Sequence, residues 1–463
     1  MQARIGPIRL SEGVSRFNAA TYLYACIICI GILAGLNFIQ PYILSVVLEI
    51  PESEQGTISG SLAFMQEIIA IILVSFFGIL SDRIGRRPVM VFGTMVVALG
   101  FALFPYASNI NELFIYRSVF AIGAAALSSV LAIIVNDYPT EKSRGKFVSL
   151  HSVLNALGVA IFAAFLGRLP SLFMMSEWVL DGEYSFRSFS LTLHDPIIIM
   201  INNGLGYDPK TAGQLAMLFV AGAAFLSGII FAIGLKGGTP ENLKEKLGFK
   251  HLMETALQSM RNPRISLAFA ATLLARADVS VNGIFISLWA STSADDLGIT
   301  TGEAFKQVVP LIVVTNLLSI VWAFLFGSII DRINRVTAMV VAMALGVIAY
   351  GLIIFVDTPL NYSYLPIFIL ISASAIGTVI ATASLMGQEA PVRERGSVIG
   401  VSAFFGACGI LVATSVGGFL FDAFGPKGPF LLICFTHAII LFGAIVVRIK
   451  SPGEYFGGNK EPL

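Results

Sequence analysis

Twelve runs of about twenty apolar residues follow one another along the chain, the length a helix needs to cross a ~30 Å hydrocarbon core. The first half contributes residues 21–48, 57–80, 88–107, 111–135, 147–167 and 211–235. The second half contributes 265–290, 305–330, 336–356, 362–386, 397–421 and 428–447. Runs this long suit helices, because barrel strands alternate at every second residue and hydrocarbon leaves no solvent for unpaired backbone groups. The chain is 56% hydrophobic and only 12% charged, whereas soluble domains carry roughly 25% charged residues. The expected fold class is an all-α membrane protein of twelve transmembrane helices.

Orientation follows from the basic residues. With the amino terminus in the cytoplasm, outer segments hold only Arg168, Arg187, Lys210, Lys306 and Lys427, and the spans hold Arg117 and Arg276. The rest of the 29 Lys and Arg fall on the inner side, which places both termini in the cytoplasm. A net charge of +1 gives no global field for nucleic acid. The first run lacks a short apolar core with a cleavage site behind it, so it reads as an uncleaved helix.

An internal repeat divides the chain. Gly78-Ile-Leu-Ser-Asp82-Arg83-Ile-Gly85-Arg86-Arg87-Pro88 returns about 250 residues later as Gly327-Ser-Ile-Ile-Asp331-Arg332-Ile-Asn334-Arg335. A second echo pairs Pro139-Thr-Glu141-Lys-Ser-Arg144-Gly145 with Pro391-Val-Arg393-Glu394-Arg395-Gly396. Parallel halves of six spans are one of the known transporter plans. The expected organisation is a cytoplasmic segment 1–20, a six-helix bundle 21–235, a cytoplasmic linker 236–264, a second six-helix bundle 265–448 and a tail 449–463. Within the linker, 241–260 reads as a short surface helix.

At Gly78, Leu80, Asp82, Arg83, Gly85, Arg86 and Arg87 the chain resembles the major facilitator superfamily, whose signature between helices 2 and 3 is G-x-L-x-D-R-x-G-R-[RK]. The second copy departs from it, with Asn334 for the second glycine and Val336 after Arg335. The resemblance implies two pseudo-symmetric six-helix bundles around a central cavity. It also implies a cytoplasmic latch built on Asp82, Arg86 and Arg144, with Asp331, Arg332 and Arg335 as the second copy. Simple positive-inside anchoring is the competing reading, although anchors need neither Asp nor Gly at fixed spacing. Leu113-x-x-x-Arg117, followed by Gly123-Ala124-Ala125, looks like the fourth-helix signature of proton-linked members, with Phe120 where Gln is usual and Ala121 where Gly is usual. Residues 147–167 lack the Gly-Pro signature of drug/proton antiporters.

Ionisable residues inside spans point toward mechanism, since a charge at the bilayer centre costs at least ~2.5–3.5 kcal/mol. Glu67, Arg117, Arg276 and Asp278 stand in that position. Glu67 is expected to face Arg117, either as a proton-coupling carboxylate or as a permanent pair. On the seventh run Asp278, Asn282, Phe285 and Trp289 share one helical stripe, a plausible ligand wall, while Arg276 points elsewhere. Asn37 and Gln40 precede Pro41, where proline frees a carbonyl. His151 and Asn155 lie four apart, and for single buried polar residues interhelical hydrogen bonding is the simpler reading. Gly31-x-x-x-Gly35 permits close helix approach.

Cys26, Cys29, Cys408 and Cys434 fall within spans and read as packing. No pattern suggests a metal, a cofactor, a nucleotide-binding loop or an enzyme nucleophile. Residues 168–210 form an unusually long outer insertion, read as a lid or a passive flap. The functional expectation is a monomeric secondary transporter of the bacterial inner membrane. It would move a small organic anion or zwitterion by alternating access with H+ as coupling ion; amphipathic-cation efflux and a non-transporting sensor or scaffold are the alternatives.

Overall fold

The computed structural model describes residues 3–140, 143–166, 168–173, 207–238, 258–330, 332–390 and 395–453. Every apolar run falls on a helix: α1 Arg16–Tyr42, α2 Glu52–Ile84, α3 Arg86–Leu103, α4 Ile110–Asp137, α5 Arg144–Leu166 and α6 Pro209–Gly234. The others are α7 Pro263–Asp296, α8 Thr301–Ile330, α9 Arg335–Gly351, α10 Leu365–Glu389, α11 Arg395–Phe424 and α12 Gly428–Lys450. Twelve helices are long and apolar enough to cross a membrane. Polar residues set several of the starts. Ser15 and Asn18 form a reciprocal capping box on α1, while Asn109, Asp208 and Asn334 cap α4, α6 and α9.

The repeat is visible in the packing. α3 packs on α4 and α6, and α9 packs on α10 and α12, six helices further on. α1 lies so close to α5 that a Cβ on Gly158 would strike the Ile27 carbonyl, and Gly409 of α11 has the same relation to the Leu273 carbonyl of α7. Gly31 and Gly35 face Phe162 and Leu166 of α5, the close approach their spacing predicts.

By contact the chain forms two compact units. The first comprises Met1–Glu52, Phe77–Gly238 and Ala290–Ile312; the second comprises Ser53–Phe76, Thr239–Trp289 and Val313–Leu463. Inside the first unit, Ser45 and Ser291 hydroxyls lie 3.3 Å apart and Tyr42 meets Phe305 edge-on. Inside the second, Asp422 of α11 accepts from the backbone N–H groups of Gly56 and Thr57 on α2. The turn from α7 to α8 thus packs with the first unit, and the first half of α2 with the second.

Two local features were not legible beforehand. Pro41 supplies no N–H to the Asn37 carbonyl, and α1 then loosens into a π-helical turn, Ile43–Val47. Residues 3–15 are ordered: Arg4–Ile5 pairs with Ile8–Arg9 as a small hairpin, and Leu10 bridges to Pro139. That clasp is fastened by Arg9 N–H donating to the Ser143 hydroxyl and Ser11 N–H donating to the Tyr138 carbonyl. The Tyr138 hydroxyl accepts the Lys236 N–H at 3.0 Å, and burial pushes that phenol up to about 12. Most of the 168–210 insertion and of the expected 241–260 helix lies outside the described residues.

Candidate functional site

Arg117 dominates the first unit. α4 carries it into the packed interior, where it is 1% exposed. Its Nη2 donates to Asn37 Oδ1 at 2.8 Å, and its guanidinium carbon lies 5.2 Å from the Phe120 ring centroid. Among the described residues its Nε and Nη1 have no hydrogen-bond partner, nor has the buried Gln40 Oε1. The charge is therefore met by a neutral amide and an aromatic face, with two donors left over. Phe120, occupying the position where the family signature usually has Gln, supplies that face. Arg117 thus turns to Asn37 within its own unit, while Glu67 lies on the part of α2 that belongs to the second unit.

A cavity of about 450 Å³ opens in the same unit. Leu48, Tyr106, Asn109, Leu113, Lys210 and Gln214 are among its walls. Arg117 is not in the lining, but Leu113 is one helical turn before it on α4.

His151 and Asn155 come together with Tyr22 and Cys26 between α1 and α5. Tyr22 Oη donates to the Leu131 carbonyl at 3.0 Å, so His151 Nδ1 is the donor in its 2.8 Å contact with that hydroxyl. His151 Nε2 then accepts from Asn155 Nδ2 at 2.9 Å. One neutral tautomer satisfies the ring, through Tyr22 of α1 on one side and Asn155 of its own helix on the other.

In the second unit Arg276 is exposed and its stem runs along Gly406 of α11. Asp278 is 0% exposed and its Oδ2 lies 3.2 Å from Nε2 of His437 on α12, also 0% exposed. Asn282 donates to the Tyr350 hydroxyl at 3.0 Å, and Tyr350 stacks on the His437 ring at 5.5 Å. The ligand-wall expectation for the far end of this stripe is corrected. Phe285 and Trp289 are 0% and 2% exposed and pack against Phe421, Phe368 and Phe430. A stripe read from spacing cannot distinguish a cavity wall from a packed seam. His437 and Tyr350 were missed, although a lone histidine inside an apolar run was signal enough.

The repeated motif closes the ends of α2 and α8. Arg86 binds Asp82 and, at 3.1 Å, Asp137 at the end of α4, and donates to the Ser81 hydroxyl. Gly85 between α2 and α3 takes φ 99°, a value that favours glycine. Gly78 is buried and its carbonyl accepts from Ser81, Arg83 is exposed, and Arg87 lies beside Gly237. In the second copy Asn334 has φ −62° and caps α9 through its side chain, so the two copies end their helices by different chemistry. Arg332 is exposed, Arg335 opens α9, and Asp331 and the side chain of Arg144 lie outside the described structure. On α10, Glu389 instead binds Arg264 at 2.7 Å. The four cysteines are free thiols, and among the described residues no group of three or more His, Cys, Asp and Glu could hold a metal.

The profile of the Major Facilitator Superfamily matches residues 23–414. The chain is 26% identical over 456 residues to "Magnetosome protein MamH" of Paramagnetospirillum magneticum, covering 96% of each chain. It is 22% identical over 412 residues to "Magnetosome protein MamZ" of the same organism, covering 87% of this chain and 58% of MamZ, little more than half of that relative. Among solved structures, the nucleoside transporter NupG (D323A mutant) superposes with TM-score 0.70 at 10% identity, over 92% of this chain and 99% of that one.

Proposed function

The chain belongs to the Major Facilitator Superfamily, and on that premise we propose that it is a secondary transporter of a small organic anion. The observation that carries the reading is Arg117, a buried cation that donates to a neutral amide and whose two remaining donor nitrogens are unsatisfied among the described residues. An uncompensated buried charge is expensive, and an arriving carboxylate would relieve that cost while accepting two N–H bonds. Lys210 in the neighbouring cavity wall supports the same polarity, since a cleft of one sign concentrates the opposite one.

Alternating access supplies the mechanism. In this reading the six-helix halves 21–235 and 265–448 alternate access to the solute, and the Asp82–Arg86–Asp137 cluster forms part of the latch at the inner end. Coupling to H+ completes the reading, with Glu67, a carboxylate inside a span, as its candidate carrier. Both termini lie in the cytoplasm in this reading. The membrane is the bacterial inner membrane or, given an end-to-end match to a protein named for the magnetosome, the membrane of that compartment.

Purified protein in proteoliposomes, challenged with labelled citrate, succinate, an amino acid, a nucleoside and a lipophilic cation, tests the reading. Carboxylate exchange that disappears in Arg117→Gln supports it. Flux of the cation alone, or anion flux untouched by Arg117→Gln, sinks it.

A further inference from the structure

The cavity of about 450 Å³ in the first unit has no task in the reading above, because Arg117 is not among its walls. It opens between the end of α1, the turn from α3 to α4 and the start of α6, at the ends of α3 and α4 opposite the Asp82–Arg86–Asp137 cluster. Irregular backbone builds it. The π-helical turn Ile43–Val47 delivers Val47 and Leu48 to the wall. Glu49 then takes φ 52°, the one positive value outside glycine among the described residues, and Ile50 returns to the wall. The 3-10 turn Phe104–Tyr106 supplies the facing side. Such turns and left-handed residues cost energy, and they gather at functional sites.

The polar groups are held in place. The Tyr42 hydroxyl donates to the Pro209 carbonyl at 2.8 Å, and Asp208 caps α6 through the Thr211 N–H, so the first turn of α6 is fixed. That turn carries Lys210, with Gln214 one turn on along the same face. Gln214 Nε2 donates to the Pro105 carbonyl at 3.4 Å, tying one wall to the other. The Lys210 ammonium has no ion pair or hydrogen bond among the described residues. Two nearby carboxylates are already engaged: Asp208 in its cap, and Glu112 with the Ser108 N–H at 2.8 Å. A third, Glu49, is exposed and outside the lining.

Resting on the transport reading above, we propose that this cavity is a capture site for the same class of solute, a small organic anion. Its carboxylate pairs with Lys210 while its carbon skeleton lies on Leu48 and Leu113. Leu113 lines the cavity and stands one turn, about 6 Å of helix rise, before Arg117 on α4. A cation at the mouth of a low-dielectric cleft raises the local concentration of anions and their encounter rate. The two cations differ in a measurable way. Lys210 is exposed, so salt screens its attraction, whereas Arg117 is buried and is screened much less.

The test is equilibrium binding of radiolabelled citrate to the purified protein, or of the panel anion that wild type exchanges fastest, beside KM and kcat in proteoliposomes. Wild type should bind two equivalents, and raising NaCl from about 0.05 M to about 0.5 M should weaken one of them at least about fivefold. Lys210→Gln should remove that salt-sensitive equivalent and raise KM at least about fivefold, with kcat kept within about twofold. Ser108→Trp, which fills the cavity and alters no charge, should do the same, and Lys210→Arg should retain both equivalents. Arg117→Gln should lose the other equivalent and keep the salt-sensitive one. A salt-sensitive equivalent that survives both Lys210→Gln and Ser108→Trp overturns the proposal. A single equivalent in wild type, lost in Arg117→Gln and untouched by Lys210→Gln, overturns it and leaves the transport reading standing. Wild-type protein that neither binds nor exchanges an anion overturns both.

Discussion

Asp422, near the end of α11, accepts the N–H of Gly56 at 2.8 Å across a separation of 366 residues. Its second oxygen accepts from Thr57 at 2.6 Å. The carboxylate fits because residue 56 has no side chain; a Cβ there would run into both the Asp422 carboxylate and the Phe421 stem. Asp422→Asn keeps one acceptor and loses the charge, which predicts about 1–2 kcal/mol of lost stability. Gly56→Ala should cost at least as much by forcing the carboxylate away. Thermal unfolding of detergent-solubilised protein, followed by loss of the monodisperse peak, measures both. Wild-type midpoints in the two variants would show that the contact contributes nothing.

Asn37→Asp is the sharper probe of Arg117. The substitution places a carboxylate where a neutral oxygen now accepts at 2.8 Å, so the buried charge gains a permanent partner. Thermal stability should rise, and carboxylate uptake should fall at least about tenfold because the incoming anion must now displace an internal one. Uptake assays beside melting curves check both directions. A variant that is more stable and still takes up anions normally would remove Arg117 from recognition.

The two copies of the loop motif call for opposite substitutions. Gly85→Ala forces an L side chain to φ 99° and against the Gly238 carbonyl, at a cost of at least about 1–2 kcal/mol. Asn334→Gly should be mild and Asn334→Ala should cost about 1 kcal/mol, the ordinary value of a lost helix cap. Parallel melting curves of the three variants test the ranking.

Asp208 supplies a pH dependence with a defined sign. The Thr211 hydroxyl, with its backbone N–H, holds this carboxyl below the usual carboxylate range while it caps α6. A depressed folded value means the stabilisation is present above the unfolded value, about 3.9, and is lost as pH falls through the folded one. The melting temperature of Asp208→Asn should therefore lie below wild type near neutrality and converge with it in acid. A gap that widens on acidification contradicts the assignment.

Chain chemistry alone determined the helix number and the repeat. Hydrocarbon solvation demands about twenty apolar residues per crossing, which needs no neighbour to be read. Arg117 and Asp278 were legible as buried charges for the same reason. Their partners were not. That Arg117 meets Asn37, and Asp278 meets His437 159 residues away, depends on how each helix rotates about its axis and which neighbour covers it. Packing decides that, because an apolar stripe such as Phe285 and Trp289 has the same spacing against a ligand as against another helix. Only the tertiary structure put the first half of α2 beside α11 and gave Asp422 the Gly56 N–H to bind.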